Sequence, residues 1–235
     1  RGFGKLLWAP ANAYLPPPER PTHINDPRDS MSTYVTVSTC NLNQWAMDFD
    51  GNLERIKRSI AEAKAQGATH RNGPELETSC YGCEDHFLEM DTFMHCDESL
   101  ADILQSDLTH GILCDIGMPV LHNNVRYNCR VYCLDGKIIL IRPKIFMADD
   151  GNYRETRYFT TYKREGTETH VLPTLLVKAT GQATVPFGVA AVEAANTCFG
   201  AETCEELFTP NAPPIGLAPD GAQHRSNAPP PHPHL

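Results

Sequence analysis

The chain has 235 residues and a formal charge of −9, with a pI near 5.5. This balance argues against nucleic acid or an anionic membrane as the main partner. The length suits one sizeable domain with irregular ends. No apolar run approaches the roughly 18–20 residues that span a bilayer, and the start carries no signal-peptide pattern; a cytoplasmic protein is expected.

Residues 1–33 read as a disordered extension, and Met31 could be a natural start. Six of the nineteen prolines fall in residues 1–30, eight in 210–235 and five between, so both ends lack what a backbone ladder requires. Tyr34–Cys40 is β-rich and short, a strand. Asp50 can cap a helix whose apolar positions Leu53, Ile56, Ile60 and Ala63 keep helical spacing until Gly67. Asp85–Gln105 is a second helical region, and Gly111–Gly117 a buried strand. Val125–Cys133 and Lys137–Ile141 flank Asp135-Gly136, a strong hairpin signal. Val185–Glu193 reads as one further strand. Residues 34–210 thus alternate helices and strands around one hairpin, an α/β layered sandwich, and 211–235 is a proline-rich tail expected to be disordered.

The nine cysteines are odd in number and irregularly spaced, which fits small core residues better than a disulfide framework. Cys204 differs, because it opens the acidic stretch Cys204-Glu205-Glu206-Leu207-Phe208-Thr209. Opening an amide through a thiol needs a thiolate, a proton-moving group and positive charge where the oxyanion forms. A helix starting after Cys204 would lower its pKa. Glu75, in an apolar Pro-Glu-Leu setting, suits a general base of raised pKa. Lys144, closing a strand, supplies a fixed ammonium. Taken singly, each has an ordinary structural explanation; the three together, in this order, carry the argument.

The chain resembles the glutamine-hydrolysing domain of the eukaryotic glutamine-dependent NAD synthetases, within the nitrilase superfamily of carbon-nitrogen hydrolases. The resemblance rests on the run 39–46 ending in Gln44-Trp45-Ala46, on Gly73-Pro74-Glu75-Leu76-Glu77, and on Tyr81-Gly82-Cys83-Glu84-Asp85-His86-Phe87. It continues through Gly117-Met118-Pro119-Val120, Asn124-Val125-Arg126-Tyr127-Asn128-Cys129-Arg130, Arg142-Pro143-Lys144, Gly151-Asn152-Tyr153-Arg154-Glu155, 184–188 and Cys204-Glu205-Glu206-Leu207. It implies an α-β-β-α sandwich, here incomplete at the C-terminal end. It also implies a catalytic triad of Glu75, Lys144 and Cys204, with Tyr81, Tyr153 and Glu155 binding glutamine. No cofactor or metal is implied for the glutaminase step; ATP belongs to a synthetase domain, normally in the same chain, whose Ser-Gly-Gly-x-Asp-Ser loop does not occur in these residues. A homo-oligomer is implied for the intact family protein.

Some positions depart from the family pattern. Asn72, Glu193 and Thr203 are polar or differ, and Gln223, His224 and Arg225 stand where an apolar strand is implied, so no strand is expected there. A stand-alone amidase or nitrilase of the same superfamily and a catalytically inactive fragment are the alternatives. Cys80-x-x-Cys83-x-x-His86, with Cys96, has zinc-like spacing but lacks a second paired cluster.

Overall fold

A computed structural model describes residues 4–7, 35–194, 197–209 and 224–228. Among the described residues eleven strands form two sheets. The larger has the order β2-β3-β4-β5-β6-β8-β7, from β2 (Val37–Thr39), β3 (His70–Asn72), β4 (Leu113–His122), β5 (Val125–Leu134), β6 (Lys137–Pro143), β7 (Thr167–Val171) and β8 (Thr184–Gly188). The smaller has the order β1-β9-β10-β11, from β1 (Gly4–Leu7), β9 (Ala190–Ala194), β10 (Thr197–Thr203) and β11 (His224–Ala228).

Three helices accompany the larger sheet: α1 (Phe49–Ala65), α2 (Met90–Gln105) and α3 (Thr174–Thr180). The amphipathic face of α1 buries Ile56, Ile60 and Ala63. Its N-cap is Asp48, which accepts from the Gly51 N–H at 3.2 Å, rather than Asp50. Asp50 falls in the first turn, where a negative charge still suits the helix dipole. α2 starts at Met90 because Tyr81–Leu88 forms a separate 3-10 segment broken at Glu84, whose φ is +48°. Ile56, Ile60, Leu100, Ile103 and Leu104 meet Ile116, Met118, Val131, Ile141 and Phe187 in one core. A second core joins the sheets through Leu113, Tyr132, Leu140, Val192 and Phe199. The layers are therefore α, β and β among the described residues.

The expected hairpin forms, with Asp135 and Gly136 both at positive φ (50° and 69°), as a tight primed turn requires. The expected single strand over Val185–Glu193 is two strands in different sheets. The chain turns at Gly188, where a Cβ would lie 2.1 Å from the Gly166 carbonyl oxygen. Both halves are apolar because each faces a core, so no change of pattern marks the crossing.

Both ends differ from the expectation of disorder at short stretches. Gly4–Leu7 pairs in parallel with β9, and His224–Ala228 pairs in parallel with β10, Thr203 opposite Ala228. An edge strand needs a ladder on one side only, so it tolerates polar residues and can stop before Pro229. The remainder of 1–34 and of 210–235, including Met31 and Gln223, lies outside the described residues.

Period-two alternation places a graded face between the sheets. Leu140, Arg142 and Lys144 follow one another on β6 and its end, beside Tyr132, Arg130 and Asn128 on β5. Arg130 and Arg142 are directly paired across the strands, an unfavourable placement for like charges. Each is neutralised separately: Arg130 by Asp115 at 2.8 Å and Arg142 by Glu206 at 2.6 Å. Asn72, polar where the family pattern is aliphatic, accepts from Arg130 at 3.0 Å. The apolar end of this face holds the sheets together and the polar end carries the site.

Candidate active site

Glu75 and Lys144 meet at the polar end of the inter-sheet face, both buried. The Lys144 Nζ donates to Glu75 Oε1 and to Glu155 Oε2, each at 2.7 Å. Asn128 Nδ2 donates to Glu75 Oε1 at 2.6 Å and to Glu155 Oε1 at 2.9 Å. The Ala148 N–H adds a bond to Glu155 Oε2 at 2.5 Å. Two carboxylates, one ammonium and one amide therefore close a ring. Glu75 Oε2 is buried without a hydrogen-bond partner among the described residues, which leaves one basic oxygen unengaged.

The electrostatics follow from burial and from the excess of one carboxylate. Burial pushes Glu75 up to about 7, with Glu155 adding to the rise and Lys144 and Asn128 opposing it. Burial works against the Lys144 ammonium, but Glu75 and Glu155 outweigh it and hold the proton. Lys144 is thus a fixed positive charge, and Glu75 a carboxyl able to exchange a proton near neutrality.

Cys204 follows β10 directly and opens a 3-10 turn, Cys204–Phe208. Its φ of +47° is a left-handed conformation that a non-glycine residue adopts only when its surroundings enforce it. The enforcing contacts are visible. The Cys204 N–H donates to Asn227 Oδ1 at 3.1 Å, a contribution from β11. Glu206 accepts from the Thr203 N–H at 2.7 Å and from the Ile145 N–H at 2.5 Å, besides pairing with Arg142. One carboxylate thereby ties the backbone just before the thiol to the residue just after Lys144.

The expectation of a lowered thiol pKa is not met. Burial pushes Cys204 up to about 12, the Glu75 and Glu155 charges reinforce it, and Lys144 opposes without prevailing. A five-residue 3-10 turn is too short to act as a helix N-terminus, and negative charge surrounds it. Burial and the surrounding negative charge both favour the protonated thiol over the thiolate.

Tyr81 and Tyr153 stand edge to face, with ring centroids 5.8 Å apart. They line a cleft of about 1020 Å³ with Trp45, Leu76, Glu155 and Glu205. The Tyr81 hydroxyl has no partner among the described residues, so a polar group could be received there. Of the six residues singled out from the sequence, Tyr81, Tyr153 and Glu155 line this cleft, Glu155 joins it to Lys144 and Glu75, and Cys204 adjoins the lining residue Glu205 and feels the charges of Glu75 and Lys144. The supporting residues Asn128, Glu206 and Asn227 were not singled out; for Asn128 the available signal was its period-two relation to Arg130 on β5.

The spacing weighed as a zinc site does not converge. Cys80, Cys83 and Cys96 are buried, whereas His86 is at the surface, 3.0 Å from Glu89. Cys83 donates to the Ser79 carbonyl at 2.9 Å. Among the described residues no three His, Cys, Asp or Glu side chains are grouped to hold a metal ion. None of the described helices is long and apolar enough to cross a membrane.

A thiol, a buried carboxylate and an ammonium at the end of a two-sheet face are the equipment of cysteine-dependent acyl transfer. The chain belongs to the carbon-nitrogen hydrolase family, whose pattern matches residues 36–233. It is 55% identical over 199 residues to a glutamine-dependent NAD(+) synthetase of Saccharomyces cerevisiae, covering 84% of this chain and 28% of that protein. The same coverage holds at 53% identity for the Homo sapiens protein of that name. The chain therefore spans little more than a quarter of the length of these relatives. A glutamine-dependent NAD(+) synthetase from Cytophaga hutchinsonii superposes with a TM-score of 0.70 at 25% identity, over 83% of this chain and 30% of that one. An amidase of the nitrilase superfamily from Nesterenkonia shares the fold, with a TM-score of 0.61 at 14% identity, over 82% of this chain and 64% of that one.

Proposed function

We propose that this chain hydrolyses the side-chain amide of glutamine through a cysteinyl thioester and releases ammonia. The observation that carries this reading is the division of labour on Glu75: Oε1 is engaged by Lys144 and Asn128, while Oε2 is buried and unengaged among the described residues. The choice of glutamine rests on the similarity to the yeast and human relatives, which their names describe as glutamine-dependent.

In this mechanism the Cys204 sulfur attacks the amide carbon. Glu75 is the weaker base by several pK units, so full ionisation of the thiol before attack is disfavoured. Proton transfer to Glu75 instead accompanies carbon–sulfur bond formation, as the Lys144 charge stabilises the developing oxyanion. The protonated Glu75 then gives its proton to the departing nitrogen, and ammonia leaves. Water, deprotonated by Glu75, hydrolyses the thioester to glutamate and restores the thiol. The ammonia would serve a synthetase that amidates an adenylated dinucleotide with ATP, in the same chain or in a partner. Exposed Leu207 and Phe208, 45% and 75% accessible beside the nucleophile, support self-association or another protein covering this face.

The test is incubation with an electrophilic glutamine analogue followed by mass spectrometry, with circular dichroism to establish folding. A single adduct on Cys204, absent in Cys204→Ala and suppressed by glutamine, is expected. A folded chain that takes no label at Cys204 would overturn the proposal. Labelling by simple aliphatic amides or nitriles in preference to the glutamine analogue would instead favour a stand-alone amidase or nitrilase.

A further inference from the structure

We propose that Asn128 is a positioning residue that selects which oxygen of Glu75 takes the thiol proton and keeps Glu75 from sharing a proton with Glu155. The inference rests on the general-base role given to Glu75 above. Asn128 lies on β5, and its backbone carbonyl accepts from the Lys144 N–H at 2.8 Å. The side chain is therefore fixed to the strand pair that also presents the ammonium. Its single Nδ2 spans the two carboxylates, at 2.6 Å and 2.9 Å.

Two carboxylates sharing one buried site tend to hold a proton between them. A neutral amide nitrogen inserted between them prevents this without adding charge, because Nδ2 can only donate toward both. With Lys144 and Asn128 both on Oε1, rotation of the Glu75 carboxyl would break two bonds, so Oε2 remains the oxygen available to the thiol. The groups facing Glu75 are Lys144, Glu155 and, less directly, Cys204 and Tyr81. Of the neighbours that favour the ionised carboxylate, Asn128 is the neutral one, and its hydrogen bond opposes the rise caused by burial. The Asn128 Oδ1 is buried without a partner among the described residues. An amide left half-satisfied in this way has a destabilising element, consistent with a residue retained for the site rather than for the fold.

The experiment compares wild type with Asn128→Leu, close in shape but without donors, and Asn128→Ser, which restores one donor. The Glu75 carboxyl is followed by carbon-13 NMR titration, its resonance assigned with Glu75→Gln, so the readout does not require turnover. In parallel, glutamine kcat/KM is measured across pH. Removal of the donor is expected to raise the Glu75 midpoint and the acid limb of kcat/KM together, by about one pH unit, a roughly tenfold loss of rate below the limb that shrinks toward alkaline pH. Asn128→Ser should recover part of the shift. A midpoint and limb unmoved in a folded Asn128→Leu protein, or in Asn128→Ala should Asn128→Leu not fold, overturn the proposal, even if the melting temperature falls. If wild type fails to hydrolyse glutamine while the carboxyl midpoint still moves, the functional reading fails and the positioning role stands.

Discussion

The most exacting test concerns Glu206, which no catalytic step uses. Glu206 is completely buried, pairs with Arg142 at 2.6 Å, and accepts from the Thr203 and Ile145 N–H groups. Glu206→Gln removes the charge and, in either amide orientation, sets an NH2 donor against another donor, the Arg142 guanidinium and Thr203 N–H or the Ile145 N–H. Breaking a buried ion pair from one side costs about 3–5 kcal/mol, because the surviving charge is left uncompensated. For a chain of this size each kcal/mol lowers the melting temperature by about 2–4 °C, so a fall of roughly 6–20 °C is expected. Arg142→Met should cost a similar amount by exposing Glu206 to the same imbalance. The double variant should cost less than the two single costs together, with a coupling of at least about 1.5 kcal/mol. Urea unfolding of all four proteins measures the cycle. Costs that add within about 0.5 kcal/mol would refute the claim that this pair holds the nucleophile turn against the lysine-bearing segment. Because Glu206 bridges the backbone beside Cys204 and the backbone beside Lys144, Glu206→Gln should also slow labelling of Cys204 under conditions where the protein remains folded.

The base form of Glu75 is the deprotonated one, and its pKa is raised to about 7, so glutamine kcat/KM should rise as pH increases through that value and fall below it. Initial rates of ammonia release between about pH 5.5 and 9 measure this, and a flat acid side would contradict the assignment of Glu75 as base. Gly117→Ala should disrupt the site from the neighbouring strand. Its Cβ would meet the Pro74 carbonyl oxygen at 2.3 Å and the Leu76 nitrogen at 2.6 Å, the backbone on either side of Glu75. A stability loss of about 1–3 kcal/mol with slowed Cys204 labelling is expected; wild-type behaviour in both would show that the segment carrying Glu75 can shift freely. Asn227→Leu removes the acceptor for the Cys204 N–H from an edge strand. It should slow labelling more than it lowers the melting temperature, and the opposite order would reduce Asn227 to a fold-stabilising residue.

Local chemistry determined a good deal. The Leu53-Ile56-Ile60-Ala63 spacing specified α1, Asp135-Gly136 specified its hairpin, and Glu75, Lys144 and Cys204 were visible as a carboxylate, an ammonium and a thiol on segments of the expected kind. Their resemblance to a known family set the sandwich and the substrate to be tested. Tertiary structure decided what depends on more than one segment. Val185–Glu193 could not reveal its division between two sheets, because both sheets offer an apolar face. The pairing of His224–Ala228 with β10 likewise depends on a partner remote in the chain. The thiol's pKa could not be read from its own neighbours either: Glu75 and Glu155, far away in sequence, reinforce the burial that favours the protonated Cys204 thiol. Asn128, Arg142 and Glu206 look ordinary one at a time. They acquire their roles only when strand register brings them together in a buried space where every donor and charge requires a partner. Sequence therefore named the candidate groups, while the packed structure determined which partners surround each of them and which braces hold them.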